Sequence, residues 1–298
     1  MKISVAICTW NGGPRIGTTL DSFVEQMAVE DLDWELLVVN NNSTDDTISV
    51  CEQFTEKLPI RVVNESKQGH SHSRNRAIDE SRGDFIAWTD DDVVAAPNWL
   101  AVYSNAIDQY PQASFFGGKV HAYFLHQTPA WVMENWSICS GVFAERDLGN
   151  EEIEIATFED LPYGANFMTR KSLHSEFRFD PQFGRVETGM RGFDEIDVLS
   201  RMLESGHRGR WISGSRIQHL IPESRTTLEY FRDYFKGQGE TWIQRGVSKL
   251  TLEQIQPQIQ HLKRKYRWSR WRSSKHWLPV LTELSNLEGQ AEARIKDN

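Results

Sequence analysis

Residues 84–99 read DFIAWTDDDVVAAPNW. Phe85 to Thr89, led by Asp84, is a short apolar run of β-branched and aromatic residues with the length of a buried strand, and it stops on Asp90, Asp91 and Asp92. In open α/β sheets ligands bind beyond the carboxyl ends of the strands, and hard divalent cations take oxygen ligands. An Asp90-x-Asp92 pair at such a strand end can hold Mg²⁺ or Mn²⁺ against a phosphate. The same triplet also reads as a solvated acidic turn ahead of the helix that Pro97 opens, so the surrounding chain has to decide.

Outward from this strand the pattern repeats. Residues 3–8 (ISVAIC) form a strand, residues 10–14 a turn, and Ile16, Leu20, Phe23 and Met27 fall at helical spacing. Residues 36–39 give a second strand, residues 40–45 loop and cap chemistry, and Ile48, Cys51 and Phe54 the inner face of a helix. Residues 60–63 give a third strand, and the polar residues 67–76 lead into a short helix that Gly83 ends. Alternation at this rhythm means βαβ crossovers, a parallel sheet and strand-end loops gathered on one edge. The gathered loops suit a nucleotide: Trp10 offers a flat face for a base, Lys67 and Arg74 charge for phosphates, and the aspartates metal ligands. Neither G-x-G-x-x-G nor G-x-x-x-x-G-K-[ST] follows the first strand, which argues against a dinucleotide-binding domain or a P-loop.

Composition narrows the class. With 298 residues, 39% hydrophobic and 25% charged, the chain has material for one large domain or one and a half. A net charge of -9 argues against nucleic acid as the main partner. Cys8, Cys51 and Cys139 are scattered, so neither a disulfide framework nor a zinc site is indicated and a reducing compartment is expected. Met1-Lys2 leads straight into a strand, and no apolar run approaches the ~20 residues that span a bilayer, so the expected location is cytoplasmic.

Three stretches, ISVAICTWNG (3–12), LLVVNNNSTDDT (36–47) and QGHSHSRNRAIDESRGDFIAWTDDDVVAAPNWL (68–100), resemble the first half of a family 2 glycosyltransferase. The resemblance continues through YGANFMTRKSL (163–173), GFDEIDVLSRMLESGHR (192–208) and RIQHLIPESR (216–225), and so covers roughly residues 3–239. It implies an α/β fold of the GT-A type, a mostly parallel central sheet flanked by helices with a C-terminal helical extension. The catalytic domain would be residues 1–239, with a nucleotide-binding half to about residue 115 and an acceptor half from about 116, and the extension residues 240–298. The implied activity is inverting, metal-dependent transfer of a sugar from a nucleotide-sugar donor to a glycan or lipid-linked acceptor hydroxyl, in cell-surface polysaccharide synthesis.

By the same resemblance, Thr9, Trp10, Asn11, Asn40, Asn42, Ser43, Lys67, Arg74, Asp90 and Asp91 surround the nucleotide. Gly164, Ala165, Asn166 and Arg225 line the donor and acceptor pocket, and Asp92, His219 and Asp90 hold Mn²⁺ or Mg²⁺. Family members usually carry an aspartate at the end of the second strand, accepting the uracil N3–H. Asn40 stands there in this chain, and its amide oxygen accepts the same bond without charge, so a UDP-sugar is favoured with the base left open.

Counting back from Arg201, Glu195 takes the place of the aspartate in the family's Glu-Asp pair and Asp194 that of the glutamate, an inverted order. Inverting transfer needs a carboxylate that removes the acceptor hydroxyl proton, a role expected of Glu195 with Asp194 as the fallback. Its place at a helix N-terminus is expected to keep Glu195 ionised. Two other classes compete. A catalytically inactive sugar-nucleotide-binding or scaffold protein would fit the swapped acids and Asn40. A nucleotidyltransferase is disfavoured, because residues 10–15 hold glycines but one basic residue.

Residues 127–159 show no clean period, as a variable acceptor-side region would. Residues 263–277, KRKYRWSRWRSSKHW, hold seven Lys or Arg, four aromatics and no acid on an otherwise acidic chain. Cations interleaved with Trp and Tyr suit an anionic membrane surface or a lipid-linked acceptor. A helix packed back on the acidic catalytic domain, or a nucleic-acid patch, are the alternatives, the latter opposed by the net charge.

Overall fold

The computed structural model describes residues 2–187 and 189–296. Strands β1 (Lys2–Thr9), β2 (Asp33–Asn40), β3 (Ile60–Asn64) and β4 (Phe85–Thr89) lie in the order β3-β2-β1-β4, all parallel, joined through α1 (Gly13–Val24), α2 (Thr47–Glu52) and α3 (His70–Glu80). A parallel sheet covered on both faces needs apolar residues at consecutive positions, and Leu36, Leu37, Val38 and Val39 are all fully buried. Three boundaries differ from the sequence expectation. α1 stops at Val24, leaving Met27 58% exposed; α3 begins at His70; and it ends at Glu80, with Ser81 rather than Gly83 closing it.

Beyond β4 the sheet changes sense. β5 (Val93–Ala95) leads into α4 (Trp99–Gln109), followed by β6 (Phe115–Phe124), α5 (Ala130–Glu134), α6 (Trp136–Cys139), β7 (Glu154–Ile155), β8 (Phe167–Arg170), α7 (Asp194–Glu204) and β9 (Gly209–Ile221). The order runs on as β4-β8-β6-β9-β5, with β7 beside β9. The β4–β8, β6–β8, β5–β9 and β7–β9 pairs are antiparallel, so the sheet is parallel in its first half and mixed overall.

Short β5 at the sheet edge leaves backbone groups that the ladder does not pair, and α1 satisfies them. Thr19 Oγ1 accepts from the Val93 N–H at 3.0 Å, Ser22 Oγ accepts from the Ala95 N–H at 3.1 Å, and Gln26 Nε2 donates to the Ala96 carbonyl at 2.9 Å. Thr19 and Ser22 on the buried face of α1, with Gln26 just past its end, hold the segment that follows the aspartates.

The chain forms two compact units. The first comprises the residues up to Tyr123, Ala144–Pro181 and Asp194–Leu220; the second comprises Phe124–Phe143, Gln182–Phe193 and the chain from Ile221. In the second, α8 (Leu228–Gln244), α9 (Leu252–Ser269) and α10 (Ser274–Lys296) pack together. The expected domain boundary at residue 239 falls inside α8. A Cβ on Gly239 would sit 2.0 Å from the Asn286 carbonyl oxygen, and one on Gly289 2.0 Å from that of Lys236, so α8 and α10 cross backbone to backbone at these glycines. Ile255, Ile259 and Leu262 of α9 meet Val280, Leu284 and Leu287 of α10 in a separate apolar cluster. Trp131 packs edge-on against Phe231, 4.9 Å between ring centroids, and lies 6.1 Å from the Trp277 ring, which makes it part of this unit's local core.

Candidate active site

Strand register brings the loops together. Thr9 pairs with Asn40, Asn40 with Asn64 and Ile7 with Thr89, so the segments following the four parallel strands leave the sheet at one edge. Asn11, at φ 48, donates its backbone N–H to Ser43 Oγ at 2.9 Å and accepts the Thr44 N–H on Oδ1 at 2.8 Å, joining the first loop to the second. Asn40 donates to Asn64 Oδ1 at 2.9 Å and accepts the Ser43 N–H on Oδ1 at 3.2 Å. Asn42, at φ 60 and exposed, donates to the Ser66 carbonyl at 2.8 Å. Trp10 is half-buried and Lys67 exposed.

Asn41 was not singled out from the sequence, yet it does the most to shape this edge. Buried, it donates to the carbonyls of Glu65 at 2.9 Å and Lys67 at 2.8 Å and accepts the Gly69 N–H at 2.8 Å. Three neighbouring asparagines look alike in sequence; Asn42 is exposed, and the two buried ones, Asn40 and Asn41, differ in the partners they meet.

Antiparallel pairing sets Val93 opposite His219, and the Leu220 N–H donates to the Asp92 carbonyl at 2.8 Å. One ligand atom from each of Asp90, Asp92 and His219 then lies within 4.8 Å of the others, with His219 Nε2 3.4 Å from Asp92 Oδ1. Two carboxylate oxygens and an imidazole nitrogen are a donor set that fits Mn²⁺ well and Mg²⁺ less closely. His219 lies within β9, at the end of its ladder with β5.

Asp91, expected beside the nucleotide, is engaged elsewhere. Arg15 grips it with a fork, Nε to Oδ1 at 2.7 Å and Nη2 to Oδ2 at 2.8 Å, and the Thr9 hydroxyl donates to Oδ2 at 2.5 Å. Burial pushes the Asp91 carboxyl above its ordinary range while the Arg15 charge pulls against it. Thr9 and Asp91 thus brace the aspartate turn, and Arg15, which the sequence reading passed over, holds them.

Arg74 is also corrected. Expected among the phosphates, it is 3% exposed, with its guanidinium 3.3 Å from Asp194 Oδ2 and 3.8 Å from Glu195 Oε2, and it donates to the Gly164 carbonyl at 3.3 Å. The guanidinium also lies over the rings of Phe179 at 5.1 Å, Phe167 at 5.3 Å and Trp88 at 5.8 Å. A buried cation needs counter-charge, and the two acids opening α7 supply it. His70 Nδ1, 2.9 Å from Asp194 Oδ2, is a further partner that the sequence reading missed, although it opens α3 one turn before Arg74.

The two acids are therefore unlike. Burial alone would raise the Asp194 carboxyl, but the Arg74 charge and then His70 outweigh it and hold Asp194 well below the usual carboxylate range. Glu195 goes the other way, pushed up to about 7 by burial and by the Asp194 charge, with Arg74 opposing. The expectation that the helix N-terminus keeps Glu195 readily ionised is corrected: desolvation and a like charge outweigh the dipole. Its hydrogen bond from the chain is the Gly164 N–H donating to Oε1 at 3.1 Å. A Cβ on Gly164 would lie 2.7 Å from Arg74 Nη2 and 3.2 Å from Glu195 Oε1, so the site requires glycine there.

Two expected pocket residues are core. Ala165 is 2% exposed and belongs to the main apolar cluster. Asn166 is fully buried: Oδ1 accepts from Trp99 Nε1 and the Tyr103 hydroxyl, each at 2.8 Å, and Nδ2 donates to the Lys119 carbonyl at 2.9 Å. Nδ2 also donates to the Ser215 carbonyl at 3.3 Å, so both amide hydrogens and the oxygen lone pairs are taken up within the fold. Arg225 lies in the second unit, half-buried in a 3₁₀ turn, Glu223–Thr226.

Residues 4–176 match the family model described as glycosyl transferase family 2. A glucosyl-dolichyl phosphate glucuronosyltransferase of Haloferax volcanii is 25% identical over 273 residues, covering 89% of this chain and 82% of that protein. Several other curated relatives match over less than half of their own length. Among solved structures, S. aureus TarS 1-349 in complex with UDP-GlcNAc is 15% identical with a TM-score of 0.59, covering 100% of this chain and 91% of that one. The mannosyltransferase PcManGT from Pyrobaculum calidifontis, in complex with GDP-Man and Mn²⁺, is 16% identical with a TM-score of 0.61, covering 99% and 87%. At these identities the structural likeness establishes the fold, which is GT-A.

Proposed function

The chain belongs to glycosyl transferase family 2, and from that premise we propose that it transfers a sugar, with inversion, from a nucleotide-sugar donor to a hydroxyl of a glycan or lipid-linked acceptor. The observation that carries the proposal is the division of labour between the acids opening α7: Asp194 is locked by Arg74 and His70, while Glu195 accepts the Gly164 N–H and has a carboxyl pushed up to about 7 by burial and the Asp194 charge. A carboxylate that titrates near working pH is suited to general-base catalysis.

Glu195 takes the acceptor hydroxyl proton as that oxygen attacks the anomeric carbon from the face opposite the nucleotide. The new carbon–oxygen bond forms while the bond from the anomeric carbon to the diphosphate breaks with its electron pair, and the proton passes from Glu195 to solvent. Arg74 and Gly164 fix the Glu195 carboxyl between them, and Asp194 holds Arg74 in place. Asp90, Asp92 and His219 would hold Mn²⁺ or Mg²⁺, which when bound neutralises diphosphate charge. Trp10, Asn11, Ser43, Asn40 and Asn42 would form the nucleoside side, and Lys67 would meet phosphate. The Asn40 oxygen, with a second lone pair beyond the Ser43 N–H, keeps a UDP-sugar favoured. The printed names of related proteins, which include a glucosyl-dolichyl phosphate glucuronosyltransferase and a succinoglycan biosynthesis protein, support a role in polysaccharide synthesis. Among the described residues no helix is long and apolar enough to cross a membrane.

Asp92→Ala tests the reading. We expect it to abolish both turnover and the Mn²⁺-dependent part of UDP affinity measured by titration calorimetry, with an unchanged circular dichroism spectrum. Mn²⁺-dependent affinity equal to that of the unsubstituted protein removes the metal from the mechanism. A protein that binds nucleotide sugars with Mn²⁺ but neither transfers nor hydrolyses them is the inactive binder instead.

A further inference from the structure

The turn between α9 and α10 presents two bare indoles in a field of cations. Trp268 is 79% exposed and Trp271 90% exposed, the two most exposed large apolar side chains among the described residues. The α9–α10 interface does not use them: its contacts come from Ile255, Ile259 and Leu262 against Val280, Leu284 and Leu287, with Tyr266 packed beside them. Around the two tryptophans Arg264, Lys265, Arg267, Arg270, Arg272 and Lys275 are all exposed, and none has an ion-pair partner among the described residues. Lys263 differs, lying 3.1 Å from Glu288. No acid occurs from residue 263 to 277, in a chain whose net charge is -9.

An exposed tryptophan is unfavourable in water, and two of them unsupported on a helical hairpin tip imply an environment that takes the ring and leaves the indole N–H wet. The headgroup region of a bilayer is such an environment, and unpaired cations beside the rings select for anionic lipid. We propose that the α9–α10 tip docks on an anionic phospholipid bilayer, Trp268 and Trp271 entering the interfacial layer while the flanking Arg and Lys side chains meet the headgroups.

Co-sedimentation of the full-length protein with vesicles tests it without reference to activity. Vesicles of phosphatidylcholine mixed with phosphatidylglycerol should bind the protein at low salt, phosphatidylcholine alone should bind it at least about tenfold more weakly, and raising salt should release it, since screening shortens the reach of the cations. The Trp268→Ala, Trp271→Ala double variant, whose substituted side chains touch little of the fold, and the Arg267→Glu, Arg272→Glu double variant should each lower the partition coefficient at least about tenfold. Equal binding of either variant, equal binding to both lipid mixtures, or tighter binding to RNA or duplex DNA than to the anionic vesicles overturns the proposal.

Discussion

Two adjacent carboxylates at the start of α7 are pushed in opposite directions: Arg74 and His70 outweigh burial at Asp194, whereas at Glu195 burial and the Asp194 charge outweigh the more distant Arg74. Glu195→Gln keeps the shape and the Gly164 N–H bond but accepts no proton, so turnover should fall by at least ~10²-fold with nucleotide affinity near that of the unsubstituted protein. If Asp194→Asn shows that loss and Glu195→Gln does not, the base is Asp194. The pH profile gives a second check. A base must be deprotonated, so with Glu195 pushed up to about 7 the turnover number should rise with pH through that region and level off above it. Asp194→Asn removes the like charge that raises Glu195, so the acidic limb should move to lower pH. A limb that stays in place, or moves to higher pH, contradicts the assignment of Glu195 as the titrating group.

At the scale of elements, the close approach of α8 and α10 depends on residues without side chains. Gly239 and Gly289 each face backbone of the opposing helix at distances no Cβ tolerates. Gly289→Ala therefore cannot be accommodated by rotating a side chain, and the helices must separate. Although alanine favours a helix by about 1 kcal/mol over glycine, overpacking of this kind costs about 1–3 kcal/mol, so we expect net destabilisation in denaturant titrations. Stabilisation would show that the crossing relaxes freely. The same scale explains the aspartate turn: Arg15 on α1 holds Asp91, and Thr19 and Ser22 on the same helix hold β5, so one helix positions the loop from which Asp90 and Asp92 project.

For the molecule as a whole, ligand linkage offers a test that needs no acceptor. A nucleotide sugar that binds the folded chain and not the unfolded one adds about 2.7 kcal/mol at a hundredfold excess over its Kd, enough to raise the melting temperature by several degrees. We expect that shift with UDP-sugars in Mn²⁺ and its loss on adding a chelator. A shift that survives chelation would mean that the donor is held by the Asn and Lys loops without a metal.

Local chemistry wrote much of this protein into its sequence. Strand and helix alternation follows from apolar spacing, and with it the gathering of Trp10, the asparagine loop and the aspartates at one sheet edge, because a parallel βαβ unit admits one side for its strand-end loops. Glycine at residue 206 closes α7 at φ +90, as a helix C-terminus invites. The family was legible for the same reason, its motifs being contiguous runs. What the chain could not show in one dimension was where buried polar groups would find partners. Asn41 and Asn166 are ordinary asparagines in sequence, and Arg74 is an ordinary helix arginine. Desolvation makes each a structural tie, since a buried amide or guanidinium must meet its partners inside the fold, and the Gly69–Asn41, Asn166–Trp99 and Arg74–Glu195 pairs, distant in sequence, meet only through tertiary pairing. The rise of the Glu195 carboxyl is likewise a property of its burial beside Asp194, which folding alone creates.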